Sequence, residues 1–166
     1  MLGTGPLESS PDPKETISRL RRLVELSATL NSTLNLNELL KLIIQTAADI
    51  LDCEAASILL FDEKSGELFF AAATGEDAKK LAEISVPLDH SIAGAIYQTR
   101  DPIILNQIES DPRHNPKASK HVGFTTKSLL GVPLQIRGGK TIGVLEALNK
   151  KIGSFTEADK NILVVI

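Results

Sequence analysis

The spacing of apolar residues predicts two helices at the start of the chain. From Lys14 to Leu34, apolar residues recur at steps of three and four, which places them on one face of a helix. We expect Asn37 to cap a second helix that runs to Leu51 and carries a broad apolar stripe. The face of the first helix favours packing against its twin, so the pattern indicates a parallel homodimer.

Strand-like runs of apolar residues follow. They are Ala55–Phe61, Leu68–Ala73, Ile84–Leu88, Asp101–Leu105, Leu129–Ile136 and Thr141–Leu148. Asn149 and Lys150 end the last run. The Gly138-Gly139 pair before it can adopt the positive φ angles of a two-residue hairpin at little steric cost. Hairpins with segregated helices predict an α+β fold: a six-stranded antiparallel sheet with helices packed on one face and a lid segment over the other.

Further helices are predicted between and after these strands. A short one spans Ala78–Ala82, another begins at Ser91, and a closing helix opens after Phe155 with Thr156 as its N-cap. We define the lid as Asn106–Phe124, a polar stretch interrupted by one helix over 115–123. A polar segment of this length inside a compact domain often covers a binding site, although a plain surface loop is the alternative.

The composition restricts the class of protein. The chain has 166 residues, with 18 Lys plus Arg against 21 Asp plus Glu, so it has no concentrated basic face for nucleic acid. No apolar run is long enough for a membrane span, and no signal peptide is visible. A single cysteine, Cys53, fits a reducing compartment. We therefore expect a soluble, cytoplasmic protein with neither nucleic acid nor membrane as a partner.

The two ends indicate one domain of a longer protein. Residues 1–13 are rich in Gly, Pro and Ser and are interpreted as linker or vector-derived residues, and 14–166 as a single domain. Residues 161–166 form an apolar helical run without a C-cap signal. From this we expect the last helix to continue toward an output domain.

No pattern of residues indicates catalysis or a metal site. His90, His114 and His121 are not spaced with cysteines or carboxylates as metal ligands are. Cys53 has no histidine partner in the sequence, and there is neither a Ser-His-Asp arrangement nor a P-loop. We expect no enzyme activity, no metal and no bound cofactor.

Two places offer groups that bind polar ligands. The helix start at Ser91–Gly94 carries small residues and unpaired N–H groups that can hold a phosphate, or it is an ordinary start with Ser91 as its cap. Glu146 is a carboxylate inside an apolar strand. It faces water, or it faces inward and needs a donor such as a purine amine.

A third place is Phe124-Thr125-Thr126, where the lid rejoins the sheet. An aromatic ring can stack on a base, and hydroxyl groups can bond the edge atoms of a purine. The alternative is that Phe124 belongs to the core and that the threonines are ordinary strand residues.

The order Asn149, Lys150, Phe155, Asp159 resembles the Asn-Lys…Phe…Asp-Glu signature of the GAF domain. It is most similar to the cyclic-nucleotide-binding branch found in phosphodiesterases and adenylate cyclases. The resemblance covers about Leu26 to the C-terminus and departs from the signature at Lys160, where the branch has Glu. It implies that Lys150 pairs with Asp159 as a structural clasp between the last strand and the last helix.

The resemblance also implies a ligand site and a function. Ser57 would lie near a base, the amides of Ile92 and Ala93 would hold a cyclic phosphate, and Thr126 and Glu146 would contact the nucleotide. Asn106, Phe124 and Thr125, at the two ends of the lid, are further candidates for ligand binding. Thr74 and Val122 depart from the residues that the branch carries at those positions.

The implied function is a regulatory sensor domain that binds a small molecule, with a cyclic nucleotide as the leading candidate. Binding would order the lid and act through the terminal helices on a covalently linked cyclase, phosphodiesterase, kinase or transcription activator. A structural dimerisation module without a ligand is the alternative. A methionine sulfoxide reductase would need lid cysteines and a tetrapyrrole sensor a linking cysteine, and the sequence lacks both.

Overall fold

A computed structural model describes residues 12–30, 33–75, 78–114 and 125–165 of the chain. The helices are α1 (Pro13–Leu30), α2 (Thr33–Leu51), α3 (Ala78–Ala82), α4 (Ile92–Thr99) and α5 (Glu157–Val164), with a 3₁₀ turn at Ile108–Ser110. The strands are β1 (Cys53–Asp62), β2 (Glu67–Ala73), β3 (Ser85–Val86), β4 (Ile103–Leu105), β5 (Leu129–Gln135) and β6 (Thr141–Lys150).

The six strands form one antiparallel sheet in the order β3-β2-β1-β6-β5-β4. The α+β fold with a six-stranded antiparallel sheet is therefore confirmed. β4 is an edge strand, and Pro102 directly ahead of it suits this position because proline cannot donate a backbone hydrogen bond. At the centre, Ser57 of β1 pairs with Glu146 of β6, which also pairs with Gly131 of β5.

The first face of the sheet is covered by α2 and α5. Alternation along the strands turns Ala56 and Ile58 of β1, and Leu145 and Ala147 of β6, toward this face. They pack against the apolar stripe of α2 and against Leu163 of α5, and all of them are almost fully buried. This core is what holds the two helices against the sheet.

The second face is covered by α4 and the 3₁₀ turn. Here Leu59, Val144 and Leu129 of the three central strands pack against Ile96 of α4 and against Ile108. Sequence reasoning placed only the lid on this face, and the structure adds α4. The close packing of α4 depends on two glycines, which have no side chain. A Cβ at Gly131 would overlap the Cδ1 atom of Ile96, and one at Gly94 would overlap the backbone of Leu88.

Some predicted boundaries were wrong. α1 ends at Leu30 rather than Leu34, and α2 begins at Thr33, so Asn37 lies inside the helix instead of capping it. Asn37 is exposed, and an exposed asparagine inside a helix costs only about 0.7 kcal/mol relative to alanine. That cost is too small for this residue to determine where the helix starts.

Local signals at turns and caps were more informative. Gly138 and Gly139 have the predicted positive φ angles of 94° and 79°. The hairpin loop is longer than predicted: the amide of Ile136 donates to the carbonyl of Lys140 at 3.0 Å, which leaves three residues between them. Thr156 caps α5 and forms a capping box with Asp159. The short helix over Ala78–Ala82 is present. The helix predicted over 115–123 lies outside the described residues.

Candidate functional site

A cavity of about 550 Å³ lies between the second face of the sheet, the start of α4 and the chain that follows β4. Its lining includes Ser57, Ile92, Ala93, Thr126 and Glu146. Sequence reasoning named all of these as candidate ligand-binding residues, and the fold brings them to one place from four separate stretches of chain.

The floor of the cavity carries a buried carboxyl group. Ser57 and Glu146 are only 3% and 7% exposed, and the hydroxyl of Ser57 donates to Oε2 of Glu146 at 3.4 Å. Burial raises the pKa of Glu146 to about 7, and the hydrogen bond from Ser57 acts in the opposite direction. The interpretation that Glu146 faces water is therefore wrong. Near neutral pH this carboxyl can accept from a ligand N–H when ionised or donate when protonated.

The start of α4 lies in the wall of the cavity. Ser91 is the N-cap, and its hydroxyl oxygen accepts from the amide of Gly94 at 2.9 Å while the hydroxyl donates to the carbonyl of Pro87. The amides of Ile92 and Ala93, the first two of the helix, have no intrahelical acceptor. The interpretation of Ser91 as a cap is therefore confirmed, and it is compatible with the prediction that the amides beside it receive an anion.

Asn149 positions the chain on both sides of Thr126. Its side-chain carbonyl accepts from the amides of Lys127 at 2.6 Å and Ser128 at 3.2 Å. Its side-chain amide donates to the carbonyl of Thr125 at 2.8 Å and to Glu54 at 2.9 Å. Asn149 itself adopts a left-handed φ of 59°. These bonds fix the segment that places Thr126, 8% exposed, in the cavity wall.

The pair expected between the last strand and the last helix is present. Nζ of Lys150 lies 3.1 Å from Oδ1 of Asp159, and it also donates to the carbonyl of Leu51 at 2.6 Å. Phe155 is buried beside this pair, with Nζ of Lys150 6.0 Å from its ring centre. Lys160, which departs from the family signature, forms an ion pair with Glu157 instead.

Two of the predicted ligand-binding residues, Asn106 and Thr125, are not among the described residues that line the cavity. The side chain of Asn106 donates to the carbonyl of Phe155 at 3.1 Å and accepts from its amide at 2.9 Å. Thr125 is exposed, and its carbonyl is bonded to Asn149. For these two the structure corrects the prediction, because both serve to join segments of the fold. Phe124 lies outside the described residues.

Sequence reasoning missed Arg113 as a cavity residue. Nε and Nη2 of Arg113 donate to the two carboxylate oxygens of Asp111 at 3.0 and 2.7 Å, and both Arg113 and His114 line the cavity. The bonds from Arg113 lower the pKa of Asp111 to about 2. The Asp-Pro-Arg order was the available signal, since an aspartate two residues before an arginine can bond both its backbone amide and its side chain.

The described residues form neither a metal site nor a membrane span. Over the described ranges, no group of three or more His, Cys, Asp and Glu side chains is arranged to hold a metal ion. None of the helices that the structure describes is both long and apolar enough to span a membrane.

Comparison with known proteins identifies the family. A family model described as GAF domain matches residues 33–166. Because this match covers most of the chain, the chain belongs to the GAF domain family. The resemblance inferred from Asn149, Lys150, Phe155 and Asp159 is therefore confirmed at the level of the family.

Two curated relatives are cyclic nucleotide phosphodiesterases. The probable 3',5'-cyclic phosphodiesterase pde-5 of Caenorhabditis elegans is 30% identical over 124 residues, which is 69% of this chain and 17% of the relative. The dual 3',5'-cyclic-AMP and -GMP phosphodiesterase 11A of Takifugu rubripes is 27% identical over 150 residues, 84% of this chain and 17% of the relative. The chain thus spans about a sixth of the length of these relatives.

The fold has counterparts among solved structures. The GAF domain from an Acinetobacter phosphoenolpyruvate-protein phosphotransferase has a TM-score of 0.68 and is 28% identical, with 94% of this chain and 88% of that chain covered. A GAF domain therefore also occurs in a phosphotransferase.

Proposed function

We propose that this domain is a regulatory sensor that binds a cyclic nucleotide in the cavity beside α4. The observation that supports it most directly is the pairing of two opposite kinds of group in one cavity. The open amides of Ile92 and Ala93 offer donors and partial positive charge, while Glu146 offers a buried carboxyl. A ligand with an oxyanion at one end and N–H donors at the other satisfies both.

A cyclic nucleotide meets these requirements with its phosphate and its base. The phosphate would accept from the amides at the start of α4, where the N-terminal end of the helix favours negative charge. The base would lie over Ser57 and Glu146, with an amine or ring N–H donating to the carboxylate. Thr126 would bond the nucleotide from the wall that Asn149 holds in place.

The curated relatives support this ligand class. Both are named as cyclic nucleotide phosphodiesterases, and one is named for both cyclic AMP and cyclic GMP. Because the match is confined to about a sixth of each relative, it supports a regulatory role for this domain rather than a catalytic one.

Signal transmission would use the Lys150–Asp159 pair. Through Lys150, the end of β6 is bonded both to α5 and to the C-terminal end of α2, so a shift of the strand beside the cavity reaches both helices. Coupling of this kind is typically about 1–3 kcal/mol. We further propose a homodimer through α1, a cytoplasmic location, and an output domain that is a cyclase, phosphodiesterase, kinase or transcription activator.

Calorimetric titration with cyclic AMP and cyclic GMP tests the proposal, together with mass spectrometry of small molecules released from the purified domain. We expect binding that Glu146→Ala together with Thr126→Ala abolishes, while circular dichroism shows an unchanged fold. Affinity that survives both substitutions would show that the ligand binds elsewhere. Absence of heat and of a thermal shift with either nucleotide would favour a dimerisation module without a ligand.

A further inference from the structure

A second oxyanion-binding group lies in the same cavity. We propose that Arg113 binds the negatively charged group of the ligand through the free edge of its guanidinium group, and so selects a phosphorylated ligand over a neutral nucleoside. This inference rests on the proposed function and extends it to a residue outside the family signature.

The geometry of the Asp111–Arg113 pair leaves one edge of the guanidinium group available. Asp111 takes the side-on edge, with Nε 3.0 Å from Oδ1 and Nη2 2.7 Å from Oδ2. A guanidinium group has five N–H donors, so both N–H groups of Nη1 and one of Nη2 remain. One N–H of Nη1 and the remaining one of Nη2 form the end-on edge, a planar fork that matches two oxygens of a phosphate or carboxylate. Among the described residues, only Asp111 pairs with this group.

The pair is also held in place before any ligand binds. Asp111 is the better buried partner, with its side chain 11% exposed against 38% for Arg113. The backbone around it is tied to the fold, since Asp111 donates to the carbonyl of Ile108 at 3.0 Å and Ile108 donates to that of Lys127 at 3.1 Å. Ile108 is buried in the core of the second face. A side chain ordered in advance loses less entropy when it binds a ligand.

Among the described residues of the cavity wall, the other Lys or Arg side chain is less well placed. Lys151 lines the cavity, but its side chain is 56% exposed and lies 3.9 Å from Asp52, which is itself exposed. An ammonium group is a point charge without a planar fork, and an exposed one is strongly hydrated. Asp49 and Glu54 also line the cavity and repel anions. Arg113 is therefore the side chain in this wall with both the charge and the geometry for an oxyanion.

The test compares charged and neutral ligands that share a base. Cyclic AMP, cyclic GMP, adenosine and guanosine are titrated into the wild-type domain and into Arg113→Gln, Arg113→Lys and Lys140→Gln. Lys140 is the matched control, because it is an exposed cation in the β5–β6 hairpin, paired with Glu63 at 3.6 Å and outside the cavity lining. We expect Arg113→Gln to weaken binding of the cyclic nucleotides about tenfold, as loss of a charge-assisted hydrogen bond does.

Binding of the nucleosides should stay unchanged in Arg113→Gln, and Lys140→Gln should bind all four ligands as the wild type does. Arg113→Lys keeps the charge and loses the fork, so we expect it to bind cyclic nucleotides weakly as well. An Arg113→Gln variant that weakens nucleosides and cyclic nucleotides alike, or neither, would overturn the inference. Wild-type affinity in Arg113→Lys would overturn the bidentate contact.

A different result marks failure of the proposed function. If the wild-type domain binds neither cyclic nucleotide, that function fails, and the role of Arg113 is then tested with orthophosphate and pyrophosphate by thermal shift. Stabilisation of the wild type that Arg113→Gln loses and Lys140→Gln keeps would support an oxyanion site at Arg113. Equal shifts in all three proteins, or none, would overturn it.

Discussion

Nζ of Lys150 lies 3.1 Å from Oδ1 of Asp159, which bonds the end of β6 to the first turn of α5. Both side chains are largely buried, at 16% and 13% exposure. The same ammonium group donates to the carbonyl of Leu51, and the other oxygen of Asp159 accepts from the amide of Thr156. Each side chain of the pair therefore forms a further hydrogen bond, Lys150 to the end of α2 and Asp159 to the residue that caps α5.

Because of these bonds, we expect Lys150→Met to lower the free energy of unfolding by about 2 kcal/mol, the range for a charge-assisted hydrogen bond whose partner is left buried. Urea denaturation measures this. Lys140→Met is the control, since its ion pair with Glu63 is exposed at both ends and should contribute less than about 0.5 kcal/mol. Equal losses of unfolding free energy in the two variants would show that the buried pair stabilises the fold no more than the exposed one does.

The pKa of Glu146 predicts how stability depends on pH. In the folded protein the pKa is about 7, against 4.5 for an ordinary glutamate, so the folded state keeps a proton that the unfolded state has released. Stability from this group is full below about pH 4.5 and is lost as the pH rises to 7. The loss amounts to about 3 to 4 kcal/mol at most, because the two pKa values differ by about 2.5 and one pKa unit corresponds to about 1.4 kcal/mol.

Urea denaturation between pH 5 and pH 8 checks this prediction in the wild type and in Glu146→Gln. The amide cannot ionise, so the variant should lose this part of the pH dependence and become the more stable protein at pH 8. Asp111 does not interfere, because its pKa is lowered to about 2 and its contribution changes only below this range. Identical pH profiles in the two proteins would contradict a raised pKa for Glu146.

Replacing Asn149 with alanine should destabilise the fold more than replacing it with glycine. Both substitutions remove its four side-chain bonds, to Glu54, Thr125, Lys127 and Ser128. Its φ of 59° is a conformation that glycine adopts freely, whereas a Cβ there costs about 1–2 kcal/mol. We expect Asn149→Gly to destabilise the fold and Asn149→Ala to destabilise it by about 1 kcal/mol more.

Chemical denaturation of the two Asn149 variants gives this difference directly. Ligand affinity should fall in both, because the bonds on either side of Thr126 are lost in both. An alanine variant as stable as the glycine variant would contradict the left-handed conformation at this position.

Gly131 and Ile96 should be coupled. A methyl group at Gly131 would overlap Cδ1 of Ile96, so Gly131→Ala should displace α4 from the sheet and destabilise the fold by about 1–3 kcal/mol. Ile96→Val removes that Cδ1 atom at a cost of about 1 kcal/mol on its own. Combining the two should cost less than the sum of the single changes, which thermal unfolding of all four proteins measures. Additive effects would contradict the contact.

Local chemistry explains which parts of the fold could be predicted. The N-cap at Thr156 and the left-handed glycines at 138 and 139 depend on residues close together in sequence, and both were predicted. Alternation along β6 did not determine whether Glu146 faces inward. That required knowing which face α4 covers, and the close approach of Ile96 of α4 to the sheet depends on Gly131, a residue distant in sequence.

The residues of the cavity wall were predictable where the family resemblance implied them and less so elsewhere. Asn106 is polar and begins the lid, yet its side chain is used by the backbone of Phe155, 49 residues away. The place of Arg113 in the cavity could not be predicted for a related reason. Its value to the cavity depends on how the chain after β4 folds back, and its sequence neighbours show only mixed charge.

The register of β6 constrains how this pocket can change during evolution. Glu146 stands between Leu145 and Ala147, which are wholly buried on the opposite side of the sheet. Inserting or deleting one residue in this strand would exchange the two sides, sending the carboxyl into the helix-covered core and leucine into the cavity. New ligand preferences at the floor must therefore arise by replacing side chains in place, while changes of length are tolerated only in the surrounding loops.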